Sequence, residues 1–326
     1  MSPEPNTTLV VKELMQRPVS FVALVPEPAA LFIAGAFAGT MAKTVACPLD
    51  RTKLLLQVKG GSTEGLIAQA AKSGNVLQTF MAIGRQEGLR GYFKGNVPQI
   101  IRAIPYDAVR LSAYEAFKTQ LTDEHGHLPV VGRLTAGACA AMTSTLATYP
   151  LDTIRFRMAV DPTVTSMSQV VRTMVQQEGM VSLYKGVRPS MIAIAPYIAL
   201  NYTAFDIFKS LLPPDTQNTT QGAMLAALAA TGCATSLLYP MDTLRRQMQL
   251  KSGNFTSVFH AARHLLAEGG ACALYRGFLP SCLKTLPTNS VRLTSFDFAK
   301  SVIADGKEAY HELVAEHSHV QPGEHS

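Results

Sequence analysis

The chain has 326 residues, a net charge of +6, 47% hydrophobic residues and 16% charged residues. Its basic residues are spread thinly among apolar ones, without the Lys/Arg blocks and interleaved aromatics of nucleic-acid-binding proteins, so no nucleic-acid partner is expected. The five cysteines are widely spaced and form no CxxC pair. This spacing excludes a compact disulfide framework and favours cysteines that serve as small apolar residues.

Residues 1–28 are predicted to form an N-terminal tail. They lack the apolar core of a secretory signal, and Glu4 and Glu13 do not suit a transit peptide. Targeting is therefore expected to be internal, or to lie in a segment already removed. A first apolar helix begins near Leu31 and ends in the stretch CPLDRTKLLLQ from Cys47, where a proline, an aspartate and a lysine follow at short intervals.

The rest of the first segment carries three further motifs. The residues between Val58 and Val76 are predicted to form a loop, and EGLRGYFKG follows, ending at Gly95. The stretch GNVPQIIRAIP then opens a second apolar helix near Asn96, which closes with YEAFK from Tyr114.

The same four motifs recur twice more in the same order. The second copies are YPLDTIRFRM, EGMVSLYKG, GVRPSMIAIAP and FDIFK, and the third are YPMDTLRRQMQ, EGGACALYRG, GFLPSCLKTLP and FDFAK. The glycines that end the second motif, Gly95, Gly186 and Gly277, are 91 residues apart in both intervals. The chain is therefore a tandem triplication. Its repeats span residues 29–121, 130–212 and 220–303.

Residues 304–326 are predicted to be a disordered polar tail, which contains His311, His317, His319 and His325. His260 and His264 have a spacing that can bind metal, but no third ligand is visible, and a solvated helix face explains them better. No metal site and no cofactor are expected.

Each repeat is interpreted as two membrane helices with a short amphipathic helix between them. The first helices begin near Leu31, Val131 and Ala223, and the second near Asn96, Val187 and Phe278. Each apolar stretch has about 20 residues, enough to cross a bilayer. The overall hydropathy is mild, which favours helices with one face on lipid and one on water. The predicted fold is an all-α membrane protein with six transmembrane helices, in three pseudo-threefold repeats around a central cavity.

Threefold symmetry brings the motif charges together in pairs. The prolines are expected to kink the first helices and to converge their ends. A first ring of ion pairs then forms between Asp50 and Arg155, Asp152 and Arg245, and Asp242 and Lys53. Gln57 and Gln249 follow their prolines by nine positions and can bond to this ring, whereas the second repeat has Ala159 there.

The fourth motif predicts a second ring at the other end of the helices. Its natural pairs are Glu115 with Lys300, Lys118 with Asp206, and Lys209 with Asp297. Two rings that close alternately act as gates, because partly hydrated pairs contribute only about 0–1 kcal/mol each and ligand binding can offset them.

Residues that break the symmetry point to the substrate. Aligned on GxxP, the second helices place Arg102, Ala193 and Lys284 at one level, and five residues later Asp107, Ile198 and Asn289. Three positions further come Arg110, Asn201 and Arg292, and Lys43 precedes the first proline by five residues.

The cavity bases are Lys43, Arg102, Arg110, Lys284 and Arg292. Five bases indicate a polyanion with several phosphates, which arginine binds through its fork. In the second repeat Ala193, Ile194 and Tyr197 leave room for a flat ring, so a nucleotide is favoured. Ordinary helix packing remains open for Tyr197, and lipid snorkelling for Arg110 and Arg292.

The sequence disfavours two other functional classes. An enzyme is disfavoured because GxSxG, Walker A and metal-ligand motifs are absent, and Asp107 is a lone candidate acid. A non-transporting scaffold is disfavoured because all three aspartate–base motifs are intact.

The repeated PLD..K/R and EG…Y/F-K/R-G motifs resemble the mitochondrial carrier family of six-helix transporters, over residues 29–303. The resemblance implies antiport of an anionic metabolite by alternating access, in a functional monomer. It implies anionic lipid headgroups at the short-helix N-termini. It also places the first ring on the organelle-interior side, with the loop after Val58, and the second ring on the cytoplasmic side.

Within the family, repeats two and three look closest to the plant and algal chloroplast branch of adenine-nucleotide carriers. That resemblance implies ADP and ATP as substrates, with 3′-phosphoadenosine 5′-phosphosulfate (PAPS) and its bisphosphate product PAP. It implies contact points at Arg102, Ala193–Ile194 and Lys284, with Lys43 assisting. The expected location is the chloroplast envelope or thylakoid membrane, with the mitochondrial inner membrane as the alternative. A coenzyme A or ATP-Mg/phosphate carrier is the alternative substrate class. The run RRQMQL departs from the three arginines of the mitochondrial ADP/ATP exchanger.

Overall fold

The computed structural model describes residues 25–59, 65–123, 126–161, 164, 166–217, 219–250, 255 and 257–319. All regular elements in these ranges are helices. The backbone forms two compact units. The larger unit is Ala46–Leu286, and the described part of the smaller one is 25–45 and 287–319.

Twelve α-helices follow one another along the described ranges, with a short 3-10 helix at Met180–Tyr184. In chain order they are α1 (Glu27–Gln57), α2 (Leu66–Ser73), α3 (Val76–Tyr92), α4 (Asn96–Leu121), α5 (Val130–Val160), α6 (Met167–Glu178), α7 (Val187–Ser210), α8 (Pro214–Gln217), α9 (Thr220–Leu250), α10 (Val258–Leu274), α11 (Phe278–Leu283) and α12 (Thr285–His319).

The first helices of the three repeats, α1, α5 and α9, have 31 residues each. Each contains its motif proline, Pro48, Pro150 or Pro240, and continues through it as an α-helix. A proline lacks the N–H for one helical hydrogen bond, but the turns on both sides remain paired here. The motif aspartate and base therefore lie on one helix, one turn apart.

The second helices start as the sequence predicts, at Asn96, Val187 and Phe278. The third is divided at Lys284, which lies between the last residue of α11, Leu283, and the first residue of α12, Thr285. A glycine in the left-handed conformation precedes each start, with φ of 84°, 80° and 79° at Gly95, Gly186 and Gly277.

These three glycines are required by both conformation and space. A Cβ at Gly186 would lie 2.9 Å from the carbonyl oxygen of Arg245, and one at Gly277 would lie 2.9 Å from that of Lys53. A Cβ at Gly95 would lie 3.0 Å from the carbonyl oxygen of Arg155. A residue with a side chain would be strained at this positive φ, and its Cβ would clash with the carbonyl oxygen. Glycine avoids both problems, so each repeat can pack closely on the first helix of its neighbour.

Two predictions about local structure are wrong. The segment between Val58 and Val76 holds helix α2 rather than a loop alone, and its residues Ile67 and Ala71 are fully buried. Ile67 packs into an apolar cluster with Leu54 and Phe156, among others, so burial stabilises the helix. The tail is not disordered over 304–319, because α12 continues to His319. Residues 1–24 and 320–326, with His325, lie outside the described residues.

Three helical segments of the described chain are long and apolar enough to cross a membrane: Ala29–Gln57, Met180–Ser210 and Thr220–Leu250. The other expected spans, α4, α5 and α12, are long enough but less apolar. In α4, for example, charged residues recur at Arg102, Asp107 and Arg110. The six-span arrangement remains a prediction.

Candidate functional site

The three ion pairs predicted from the motifs are present in the larger unit. Arg155 Nη2 lies 3.1 Å from Asp50 Oδ2, Arg245 Nη2 lies 2.6 Å from Asp152 Oδ2, and Lys53 Nζ lies 2.7 Å from Asp242 Oδ2. The pairs join α1 to α5, α5 to α9, and α9 to α1, so they close on themselves. We call these six residues the aspartate ring.

Two corners of the aspartate ring carry the predicted glutamine supports. Gln249 Nε2 donates to Asp152 Oδ2 at 3.2 Å and to the hydroxyl of Tyr149 at 3.1 Å. Gln57 Nε2 donates to Asp242 Oδ2 and to the hydroxyl of Tyr239, both at 3.2 Å.

The tyrosine hydroxyls carry these supports one step further. Tyr149 donates to the carbonyl oxygen of Lys185 at 3.1 Å, and Tyr239 donates to that of Arg276 at 3.1 Å. Each support therefore links a ring carboxylate to the segment just before the glycine that opens a second helix.

The third corner, at Asp50, lacks both groups. Cys47 stands where the other repeats have tyrosine, and Ala159 where they have glutamine. A small pocket of about 10 Å³ lies there, room for one water molecule. Gln99 lines it and its Nε2 donates to Asp50 Oδ2 at 3.4 Å, while its buried Oε1 accepts no hydrogen bond from the described residues.

Two predicted substrate contacts also reach the ring. Lys284 Nζ is hydrogen-bonded to Asp50 Oδ1. Arg102 Nη1 lies 3.7 Å from Asp152 Oδ1. Two of the five bases assigned to the substrate are thus paired, in this conformation, with the same carboxylates that close the ring.

Arg246 contacts the aspartate ring and was not predicted from the sequence. Its Nη1 donates to Asp152 Oδ2 at 2.9 Å and to Gln249 Oε1 at 2.8 Å, and its Nε lies 3.9 Å from Asp242 Oδ1. The available signal was the doubled arginine that only the third repeat has. Asp152 consequently faces three arginines, whereas Asp242 faces Lys53 and Arg246.

A second layer of ion pairs holds the glutamates of the EG motifs. Arg51 Nη1 lies 2.7 Å from Glu87 Oε2, and Arg157 Nη1 lies 3.1 Å from Glu178 Oε1. Glu268 instead pairs with Lys59, which belongs to a different repeat. No partner was predicted for these glutamates, because the bases that bind them do not recur at one position of the motif.

Burial and partners act in opposite directions on Glu87. Burial alone would raise the pKa of its carboxyl, but the hydrogen bonds and charges of Arg51 and Lys94 prevail and lower it. The pKa of the exposed Glu268 is also lowered, mainly by the hydrogen bond from Lys59.

The same layer joins consecutive repeats through backbone carbonyls. Arg51 Nε donates to the carbonyl oxygen of Ala159 at 3.0 Å, and Arg157 Nε to that of Gln249 at 3.0 Å. Gln247 Nε2 donates to the carbonyl oxygen of Gln57 at 2.6 Å. A side chain of each first helix therefore donates a hydrogen bond to a carbonyl oxygen at the C-terminal end of the next first helix. These bonds satisfy carbonyl groups that have no partner within their own helix.

The other residues predicted to contact the substrate lie on several helices. Asp107 and Arg110 are exposed on α4, and Ala193, Ile194 and Tyr197 are partly buried on α7. Asn201 donates to Thr231 Oγ1 at 3.3 Å. Lys43, on α1, is partly buried and Arg292, on α12, is exposed; both belong to the smaller unit.

In the larger unit, the one pair of the second predicted ring that lies wholly within it, Lys118 with Asp206, is not formed. Lys118 instead lies 3.3 Å from Glu115 Oε2, one turn away on the same helix. Both side chains are about half exposed, so the nearest carboxylate is preferred over a distant one. In the smaller unit, Lys300 Nζ lies 5.9 Å from the ring centroid of Phe296, and Asp297 is exposed.

No group of three or more metal-ligating side chains occurs in the described part of the chain. His264 Nδ1 lies 3.7 Å from Glu268 Oε1, and the rings of His260 and His264 lie beside Phe255. Their spacing reflects a helix face.

The sequence model of the family described as "Mitochondrial carrier protein" matches three times, at residues 25–125, 126–216 and 215–307. The chain is 48% identical over 292 residues to the Arabidopsis thaliana protein named "Thylakoid ADP,ATP carrier protein, chloroplastic", covering 90% of this chain and 70% of that one. It is 48% identical over 293 residues to the Arabidopsis "Probable envelope ADP,ATP carrier protein, chloroplastic" (90% and 76%). The Arabidopsis "Probable mitochondrial adenine nucleotide transporter BTL3" is 32% identical over 298 residues (83% and 67%).

Proposed function

Because the chain belongs to the mitochondrial carrier family, whose members are transporters, we propose that it exchanges adenine nucleotides across an organellar membrane. ADP and ATP are the proposed substrates, since the relatives that share 48% of its residues are named as ADP,ATP carriers. Their names also support residence in a chloroplast membrane, the envelope or the thylakoid. Anionic lipid binding and function as a monomer stay predictions from the resemblance.

One observation carries the mechanism: Lys284 and Arg102 lie on Asp50 and Asp152 of the aspartate ring. Substrate phosphates and ring carboxylates compete for these two bases. When the phosphates bind Lys284 and Arg102, the carboxylates lose part of their counter-charge and the ring weakens. A ligand can shift such an equilibrium only by its differential affinity, which these shared bases provide. Ala193, Ile194 and Tyr197 are the proposed surface for the adenine ring.

The two gates are proposed to close alternately. The aspartate ring is closed here, while Lys118 and Asp206 of the second set are not paired with each other. This is the arrangement expected when the carrier is open on the side of the second ring, which the resemblance assigns to the cytoplasm. The other members of that ring are Glu115, Lys209, Asp297 and Lys300.

PAPS and PAP are proposed as further substrates because they are adenine nucleotides with two acidic groups on separate carbons of the ribose.

Liposomes that contain the purified chain should take up labelled ATP when they are loaded with ADP, and should not take it up when they contain no nucleotide. PAPS should compete, and coenzyme A and orthophosphate should not. Uptake without internal nucleotide would contradict exchange, and competition by coenzyme A alone would favour the alternative substrate class.

The contact residues have a matched control. Arg102→Ala and Lys284→Ala should each abolish uptake while the protein stays folded, because each removes a phosphate contact. Arg85→Ala, an exposed arginine on α3, should leave uptake unchanged. Uptake by Arg102→Ala equal to that of the control would remove this residue from the site.

A further inference from the structure

We propose that Tyr106 is a positioning residue that holds the guanidinium of Arg102 ready for a substrate phosphate. This inference rests on the proposed function and names a residue that the motif analysis did not select. Arg102 Cζ lies 4.9 Å from the ring centroid of Tyr106, four residues later on α4. Residues four apart share a helix face, and this distance is within the range of a cation–π contact.

Arg102 is held by this ring and by Asp152, and it spends little of its hydrogen-bonding capacity. Its ion pair with Asp152, at 3.7 Å, is longer than the 2.6 Å and 2.9 Å contacts that Arg245 and Arg246 make with the same carboxylate. Its Nε is buried and has no acceptor among the described residues. An aromatic face orients a guanidinium plane without consuming its N–H groups, so the fork stays available for bidentate contact with a phosphate.

The equivalent positions in the other two repeats do not combine a base with an aromatic ring. Four residues after Ala193 stands Tyr197, which has no cation to hold at this level. Four residues after Lys284 stands Thr288, which has no ring, and Lys284 is hydrogen-bonded to Asp50 instead. Lys284 must break a hydrogen bond to Asp50 before it can bind phosphate, whereas Arg102 gives up a longer ion pair, at 3.7 Å, and is already oriented. Arg102 is therefore the first base to receive the substrate, and Tyr106 sets its direction.

The test compares Tyr106→Leu with Tyr106→Phe in ADP-loaded liposomes. Loss of the ring should raise the KM for ATP about 3- to 10-fold, with the maximal rate within about twofold, because substrate capture is weakened and the gates are intact. Phenylalanine keeps the aromatic face and should restore the wild-type KM. Thermal unfolding of each purified variant shows whether the fold is retained.

A second readout separates positioning from general loosening. Inhibition by inorganic pyrophosphate should weaken in Tyr106→Leu by the same factor as ATP, while inhibition by adenosine, which has no phosphate, should not change. An unchanged KM in Tyr106→Leu, or equal losses in the leucine and phenylalanine variants, would overturn the inference.

Failure of the proposed function looks different. If the wild-type chain exchanges no adenine nucleotide, that function falls, and heat protection by pyrophosphate still tests Tyr106. Protection that is weaker in Tyr106→Leu than in Tyr106→Phe would support the positioning role, and equal protection would reject it.

Discussion

The corner of the aspartate ring at Asp152 and the corner at Asp50 come from the same motif and are built differently. Asp152 is 2% exposed and is held by Arg245, Arg246 and Gln249. At Asp50 the glutamine and the tyrosine are missing, and a pocket large enough for one water takes their place. Repetition therefore fixes the ion pairs, while unrepeated residues decide how firmly each pair is held.

This difference has a consequence for opening. All three pairs must separate for the ring to open. The corner that has neither the glutamine nor the tyrosine of the other two corners resists least once the substrate has taken its additional cation. Within the described residues Asp50 has one amide support, Gln99 at 3.4 Å, and it shares its charge with Lys284, which the substrate is proposed to remove. We therefore expect opening to start at Asp50 and to end at Asp152.

The largest effect should come from removing the charge at the braced corner. Asp152→Asn leaves three arginines facing each other without a counter-charge, and breaking a buried pair in this way costs about 3–5 kcal/mol. The midpoint of thermal unfolding should fall further than in Asp50→Asn, and exchange should be lost in both variants. Equal midpoints for the two variants would remove the proposed difference between the corners.

Removing a support while keeping the ion pair should have an intermediate effect. Gln249→Ala takes one donor from Asp152 and leaves the Tyr149 hydroxyl and Arg246 with unused bonding capacity, a loss of about 1–3 kcal/mol. Thermal unfolding of the closed carrier measures it. Gln247→Ala, which removes only a bond to the carbonyl oxygen of Gln57, is the comparison. A smaller loss for Gln249 than for Gln247 would contradict its role as a support.

Adding the missing support should convert one kind of corner into the other. Ala159→Gln places at Asp50 the amide that the other corners have, and its side chain fills the pocket. A gain of about 1 kcal/mol is expected, since one buried hydrogen bond contributes about that much. The unfolding midpoint should rise and exchange should slow, as measured in ADP-loaded liposomes. Faster exchange would show that the pocket is not the weak point.

The smallest effect concerns the glutamate layer and depends on pH. The pKa of Glu87 is lowered in the folded chain, so its stabilisation is present above the unfolded pKa of about 4.3 and is lost as pH falls through the folded pKa. Glu87→Gln should lower the unfolding midpoint at pH 7, and the difference from the wild type should shrink as the pH falls from about 4.3 through the lowered folded pKa. Glu268→Gln, at the exposed pair, should do the same by less. A Glu87→Gln difference that is constant with pH would contradict the ionic account.

Features that recur in all repeats were predictable, and features that do not recur were not. The spacing of proline, aspartate and base was enough to predict the three pairs, and the nine-residue spacing was enough for Gln57 and Gln249. Arg246 and Gln99 occur in one repeat each, and only helix packing brings them to a carboxylate. For Lys118 the motif predicted a partner that this conformation does not supply.

Two local errors have a common physical origin. The segment before Val76 was assigned as a loop because it interrupts the repeat, although its apolar residues Ile67 and Ala71 lie four apart, as on a helix face. The residues after Ile303 were assigned as disordered because they are polar, although EAYHELVAE is rich in helix formers. The periodicity of apolar residues and helix propensity predict a helix better than polarity does, or than the position of a segment relative to a repeat.

In the proposed mechanism the aspartate ring must open and close during exchange. The pair between Lys53 and Asp242 tests it most directly, because it has fewer additional arginines than the pair at Asp152. Exchange of ATP for ADP should be lost in Lys53→Asp and in Asp242→Lys, and partly restored when both changes are combined, since the reversed pair can still form. A folded double variant that is as inactive as either single variant would contradict the account.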